Sequence, residues 1–169
     1  MRFKTLRHTL TWVFAVVFSA QIAMAEGARG PVTNLPLPRY VSMKASEGNV
    51  RRGPSLSHRI DWILVRRDIP LRVVAEHGHW RKVVDMDGAG GWIHYSLLSG
   101  IRTVVVRQDR LTVHRQPDPN SKIDAIFQEN VLARLGECQP NWCRITADGY
   151  SGWAPRSSLW GITEGEIRD

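Results

Sequence analysis

Cysteine is scarce: two occur in 169 residues, too few for a four-thiolate zinc site, an iron-sulfur cluster or a dense disulfide scaffold. Also missing are an uninterrupted apolar run of the roughly 20 residues that a membrane span requires, a His-Glu-x-x-His metalloprotease signature and a Gly-x-Ser-x-Gly nucleophile elbow. No window of helical length keeps a 3.6-residue apolar period, which argues against a helical domain. The length excludes an α/β barrel or a two-domain dehydrogenase. With 23% charged and 43% hydrophobic residues, the composition is that of a folded chain rather than a disordered one.

Acidic residues are absent from the first 25 positions. Arg2, Lys4 and Arg7 precede an apolar run from Trp12 to Ala20, and Ala23-Met24-Ala25 has the small-x-small form that signal peptidase accepts. Gln21 interrupts the run, which speaks against an uncleaved anchor. The expectation is a signal peptide over residues 1–25, cleaved between Ala25 and Glu26. The mature protein is then periplasmic or extracellular, with no stable membrane insertion. No cysteine stands at the cleavage point to carry a lipid, and no Arg-Arg pair precedes the apolar run to suggest twin-arginine export.

The full chain carries 23 Lys and Arg against 16 Asp and Glu, a formal charge of +7. Residues 1–25 hold three of those bases and no acid, so a mild cationic bias survives cleavage. Outside the cytoplasm that bias would meet wall polymers, lipid head groups or acidic protein surfaces. Nucleic acid is not expected as a partner.

The chain repeats itself. Asn49-Val50-Arg51-Arg52-Gly53-Pro54 aligns with Thr112-Val113-His114-Arg115-Gln116-Pro117, and Ile60-Asp61 with Ile123-Asp124. Farther on, Trp80-Arg81-Lys82-Val83 aligns with Trp142-Cys143-Arg144-Ile145, Asp87-Gly88 with Asp148-Gly149, Gly91-Trp92 with Gly152-Trp153 and Leu98 with Leu159. Two copies of one small unit account for nearly all the mature chain. Each copy reads as all-β: short runs rich in Val, Ile, Leu and Trp (62–65, 71–75, 80–84, 91–93) are separated by turn residues such as Asp87-Gly88 and Asp148-Gly149. Single helical turns are expected at 94–98 and 155–159. About 60 residues of short strands bury only roughly 60% of their unfolded surface, which favours a compact, bent barrel.

These motifs resemble those of the bacterial Src-homology-3-like (SH3b) family. The resemblance is carried by Asn49-Val50-Arg51, Gly53-Pro54, Trp80, Lys82-Val83, Asp87-Gly88 and Gly91-Trp92-Ile93. The second copy is degenerate, with Gln116 in place of Gly53 and Ala154-Pro155 in place of Ile93-His94. The resemblance implies two tandem small SH3-like β-barrels, at 39–100 and 101–162, after a Pro/Gly-rich lead segment at 26–38 and before a tail at 163–169. It also implies a non-enzymatic module that targets the cell wall or binds peptides, with no cofactor.

Catalysis by a Cys nucleophile and a His base would have to draw on Cys138, Cys143, His58, His77, His79, His94 and His114. Neither Cys precedes a predicted helix that would lower its pKa, so the histidines are expected to be surface residues. His77-Gly78-His79 reads as a solvated hairpin tip rather than a metal site. Cys138 and Cys143 flank a loop short enough to reverse a hairpin, and they align with Glu76 and Arg81. The same two positions are therefore expected to face each other in both copies, as an exposed ion pair in one and a disulfide in the other.

Aromatic side chains line a peptide-gripping groove in the parent architecture. Trp62, Tyr95 and Tyr40 are the candidates for that groove, with Arg51, Arg52 and Arg59 supplying positive charge for an anionic ligand. Trp92 and Trp153 are expected to be packing residues. The functional expectation is noncovalent binding in the cell envelope, to peptidoglycan or a protein partner. The competing expectation is a structural subunit of an envelope complex that recognises no wall polymer.

Overall fold

The computed structural model describes residues 28–169, and the expected cleavage point at Ala25 and Glu26 lies outside them. The first half of the chain forms β1 (Arg39–Met43), β2 (Gly48–Arg51), β3 (Ile60–Leu64), β4 (Pro70–His77), β5 (Trp80–Val84), β6 (Gly90–His94) and β7 (Leu98–Ser99). The second half forms β8 (Thr103–Val106), β9 (Leu111–His114), β10 (Ile123–Phe127), β11 (Leu132–Cys138), β12 (Trp142–Ala147), β13 (Tyr150–Pro155) and β14 (Leu159–Trp160). Single 3-10 turns at Tyr95–Leu97 and Arg156–Ser158 fall where helical turns were expected.

The strands make two seven-stranded antiparallel sheets, ordered β3-β2-β6-β5-β4-β1-β7 and β10-β9-β13-β12-β11-β8-β14. The second order repeats the first strand for strand. Each ladder stops at its outer strands without pairing them to each other, so the sheets are not closed edge to edge as a barrel would be.

Period-two alternation turns one face of each sheet inward. In β12, Cys143, Ile145 and Ala147 are buried while Arg144 and Thr146 are exposed. The first core gathers Met43, Val50, Leu71, Val73, Val83 and Ile93, none more than 1% exposed. The second is larger and includes Val104, Leu111, Phe127, Leu135, Ile145 and the two cysteines. Two glycines are required by close approach. A β-carbon on Gly91 would lie 2.6 Å from the Arg51 carbonyl oxygen, and one on Gly152 the same distance from that of His114, where only hydrogen fits.

The two sheets are packed together. All four residues of β8 are buried because the strand faces its own core and the first sheet at once. Thr103 donates from Oγ1 to the Asp68 carbonyl oxygen (2.7 Å), its hydroxyl lies 2.7 Å from that of Ser42, and Ser42 donates to the Ile101 carbonyl. Tyr40 meets Trp160 edge to face at 5.2 Å between ring centroids.

Candidate functional site

The free side of β3 borders a mostly apolar cavity of about 280 Å3. Its floor is the core itself, at Val50, Leu71 and Val83, and its walls are Trp62, Ile63 and Leu64 on one side and Asp85, Asp87, Ala89 and Gly90 on the other. Trp62 pairs with Val50 across the ladder and so faces the cavity. Its position on the outermost strand leaves it 55% exposed. The opposite wall is a tight turn held by the Asp85 carboxylate, which accepts from the backbone N–H of Asp87 (3.0 Å) and of Ala89 (2.8 Å). Ile60, Ile63 and Val65 join Trp62 as exposed apolar side chains in or beside β3.

The other expected groove residues do not gather there. Tyr95 sits past the far end of β6, in contact with the rings of His79 (5.6 Å) and His94 (5.0 Å) and beneath the Arg81 guanidinium (5.8 Å). Tyr40 lies at the junction of the two sheets, against Trp160 and under Arg102. A single groove over Trp62, Tyr95 and Tyr40 is therefore not what the fold builds. The strand direction separates residues that the sequence could not place.

The arginines also have local work. Arg51 donates to the carbonyl oxygens of Leu56 (3.0 Å) and His58 (2.7 Å), closing the β2–β3 loop. Arg52 and Arg59 both reach Asp61, at 3.2 and 2.7 Å, and their hydrogen bonds hold the Asp61 carboxyl below its ordinary value. Arg115 and Asp124 repeat the Arg52–Asp61 pair at 2.8 Å in the second unit. Arg52 and Arg59 remain well exposed beside Asp61, so the net positive charge sits at the loop end of β3, outside the lining of the cleft.

The Glu76 and Arg81 positions face each other as the repeat alignment requires, and so do Cys138 and Cys143. The expected exposed ion pair is corrected by burial: Glu76 is only 6% exposed and Arg81 7%. The lead segment covers the carboxylate. Thr33 donates from its backbone N–H (2.9 Å) and hydroxyl (2.7 Å), Val32 from its N–H (3.1 Å), and Arg39 from Nη2 (2.6 Å). Arg81 Nε stands farther off, at 3.5 Å. Burial alone would raise the Glu76 pKa, but these donors, Thr33 first, lower it to about 2.

Cys138 and Cys143 form a disulfide with Cα atoms 4.1 Å apart. The tail crosses beside it, where the Cys138 and Arg168 backbones exchange hydrogen bonds of 2.7 and 3.1 Å. His114 corrects the expectation of surface histidines. It is 6% exposed, with Nε2 3.0 Å from the Thr112 hydroxyl, Nδ1 3.2 Å from the Ser121 carbonyl oxygen and the ring edge-on to Trp142. Trp153 is buried, but Trp92 is half-buried. No cluster of three or more metal-ligating side chains occurs among the described residues, and no helix among them is long and apolar enough to cross a membrane.

Two copies of one small antiparallel unit, the first with an apolar cleft beside its edge strand, define a tandem module of the SH3 type. The chain belongs to the bacterial SH3 domain family: the family pattern matches residues 44–100 and again 107–161. Among solved structures it is similar to NlpC2 and NlpC1 from Trichomonas vaginalis, at 15% and 16% identity and a TM-score of 0.34 for each. Those matches cover 73% and 72% of this chain but 48% and 45% of theirs, so the chain spans less than half the length of either. No curated protein matches it.

Proposed function

We propose that the protein is an exported, non-catalytic binding module of the bacterial cell envelope, which recognises peptidoglycan or a protein partner through the cleft beside Trp62. The observation that carries this reading is the cleft itself: a tryptophan more than half exposed at the mouth of an apolar floor, in a chain that belongs twice over to the bacterial SH3 domain family. A ring that only filled the core would be buried. Each sheet corresponds to an SH3-like barrel left open between its outer strands, β3 and β7 in the first unit and β10 and β14 in the second. The disulfide accords with an oxidising compartment outside the cytoplasm.

Cosedimentation of the purified protein with isolated sacculi, alongside capture of envelope proteins, tests the reading. Binding to either that is lost in Trp62→Ala supports the cleft. A stable envelope complex that survives Trp62→Ala, with no sacculus binding, would support the structural-subunit alternative instead.

A further inference from the structure

The cleft beside β3 has a counterpart beside β10. That second cleft, of about 490 Å3, is lined by Ala125, Ile126, Phe127, Gln128, Val131, Asp148 and Tyr150. The ladders make the two sets equivalent: Val50 faces Trp62 as Val113 faces Ala125, and Val83 faces Gly91 as Ile145 faces Gly152. Leu64 thus corresponds to Phe127, Asp87 to Asp148 and Ala89 to Tyr150. Between the copies the exposed aromatic side chain has changed walls. The first cleft has Trp62 on its edge strand and Ala89 on its turn, whereas the second has Ala125 on its edge strand and Tyr150 opposite. Each keeps one exposed aromatic ring, at 55% and 59%, and the second cleft adds Phe127, which is buried. Core packing does not account for the exchange, since neither exchanged ring is buried.

Two further features recur. Each cleft keeps an exposed aspartate on its turn wall, Asp87 or Asp148, with no ion-pair partner among the described residues. No Lys or Arg lines either cleft, in a chain whose bases outnumber its acids 23 to 16. Asp85 is already committed to its own turn, which leaves Asp87 as the free carboxylate. Both clefts also run beside outer strands, β3 and β10, that are paired on one side only. Their other side keeps a row of backbone donors and acceptors free to continue a ladder.

We infer that the protein is a two-site receptor for extended, cationic polypeptide. Each cleft takes a segment of a protein partner along its outer strand and receives a lysine or arginine side chain between the aromatic ring and the turn aspartate. The free strand edge favours a polypeptide because a peptide backbone can continue the ladder and a glycan cannot. The ring face and the carboxylate together favour a cation. This rests on the envelope-binding reading and narrows its ligand to basic protein segments.

The test is an amide NMR titration of the purified protein with the blocked peptide acetyl-Val-Lys-Val-Lys-Val-amide and with its norleucine and glutamate counterparts. The lysine peptide should shift amides of β3 and the 85–90 turn and, separately, of β10 and residues 148–150. The norleucine peptide should bind about tenfold more weakly, a difference of roughly 1.4 kcal/mol, and the glutamate peptide should not bind. Asp87→Asn should weaken the response of the first set only, by a similar factor, and Asp148→Asn that of the second only. Equal response to lysine and norleucine, or shifts confined to other surfaces, would overturn the inference. Sacculus binding by the native protein, together with no response to the lysine peptide, would remove the cationic-peptide site and leave the envelope reading standing. Peptide binding intact with no retention on sacculi or by envelope proteins would do the reverse.

Discussion

Arg39 and Arg102 occupy the same position of the repeat, yet the carboxylates they hold come from different parts of the chain. Arg39 pairs with Glu76 of β4 at 2.6 Å, and Arg102 with Glu166 of the tail at 2.7 Å. The equivalence follows from the ladders, since Arg39 faces Val73 and the Arg102 carbonyl oxygen accepts from the Leu135 N–H at the matching place. In the second copy the residue at the Glu76 position is Cys138, committed to a disulfide, so that position has no acid to offer. The tail supplies one. Thr163 donates its backbone N–H to the Glu166 carboxylate (2.9 Å). Burial would raise the Glu166 pKa, but Arg102 and Thr163 hold it below its ordinary value. Both ends of the described chain are thus fastened over a partly buried arginine.

Protonating Glu76 should loosen the first unit. Its folded pKa of about 2 lies below the unfolded value of 4.5, so its contribution is fully present above the unfolded value. That contribution, on the order of 3 kcal/mol, is lost as pH falls from about 5 to about 2. Denaturant unfolding across that range should show the loss in the native protein. Glu76→Gln should be less stable at pH 7 by roughly 3 kcal/mol, since two arginines lose a buried counter-charge, and should have a flatter pH profile. An unchanged profile would mean that Glu76 is not the titrating anchor.

Glu166→Gln should release the tail from Arg102 and cost about 1 to 2 kcal/mol, because a partly buried charge loses its partner. Hydrogen exchange at the Cys138 and Arg168 amides, which pair with each other's carbonyls, should accelerate in the same variant. Protection equal to that of the native chain would show that the tail docks without the ion pair.

Reducing the disulfide, or replacing Cys138 and Cys143 together with alanine, should lower stability by roughly 2 kcal/mol through the entropy of closing so short a loop. Peptide mapping without reductant should recover the two cysteines joined within one molecule. Recovery of free thiols would contradict the link.

Trp62→Ala should leave the unfolding midpoint almost unchanged while reducing envelope binding, because the ring is more than half exposed. Trp153→Ala should instead cost about 3 to 5 kcal/mol, since that ring is 8% exposed. Trp92→Ala should fall between them, because Trp92 is only half-buried. Binding by Trp62→Ala equal to that of the native protein would remove the cleft from the recognition surface.

Intact-mass measurement on the protein exported by its native host should find residues 1–25 removed, with Glu26 as the first residue. A full-length mass would defeat this expectation, which rests on the basic start, the short apolar run and Ala23-Met24-Ala25.

The sequence by itself determined the family, the doubling of the unit and the opposition of Cys138 to Cys143, because each depends on local spacing. A repeat offset carries strand register with it, and register decides which side chains share a face. Only the tertiary structure decided what surrounds them. Trp62, Tyr95 and Tyr40 look alike as exposed aromatics in the sequence, but β6 runs from the cleft wall at Gly90 to His94 beside Tyr95, and Tyr40 is drawn into the junction of the sheets. Glu76 and Arg81 read as a surface pair because nothing in their spacing reveals that the lead segment folds back over them. The exchange of aromatics between Trp62 and Tyr150 is written in the repeat alignment, yet it acquires meaning only when the bent sheets place those two positions on opposite walls of equivalent clefts. Distances across a cleft are set by how a sheet curls around its core, and that curvature depends on all of its strands at once.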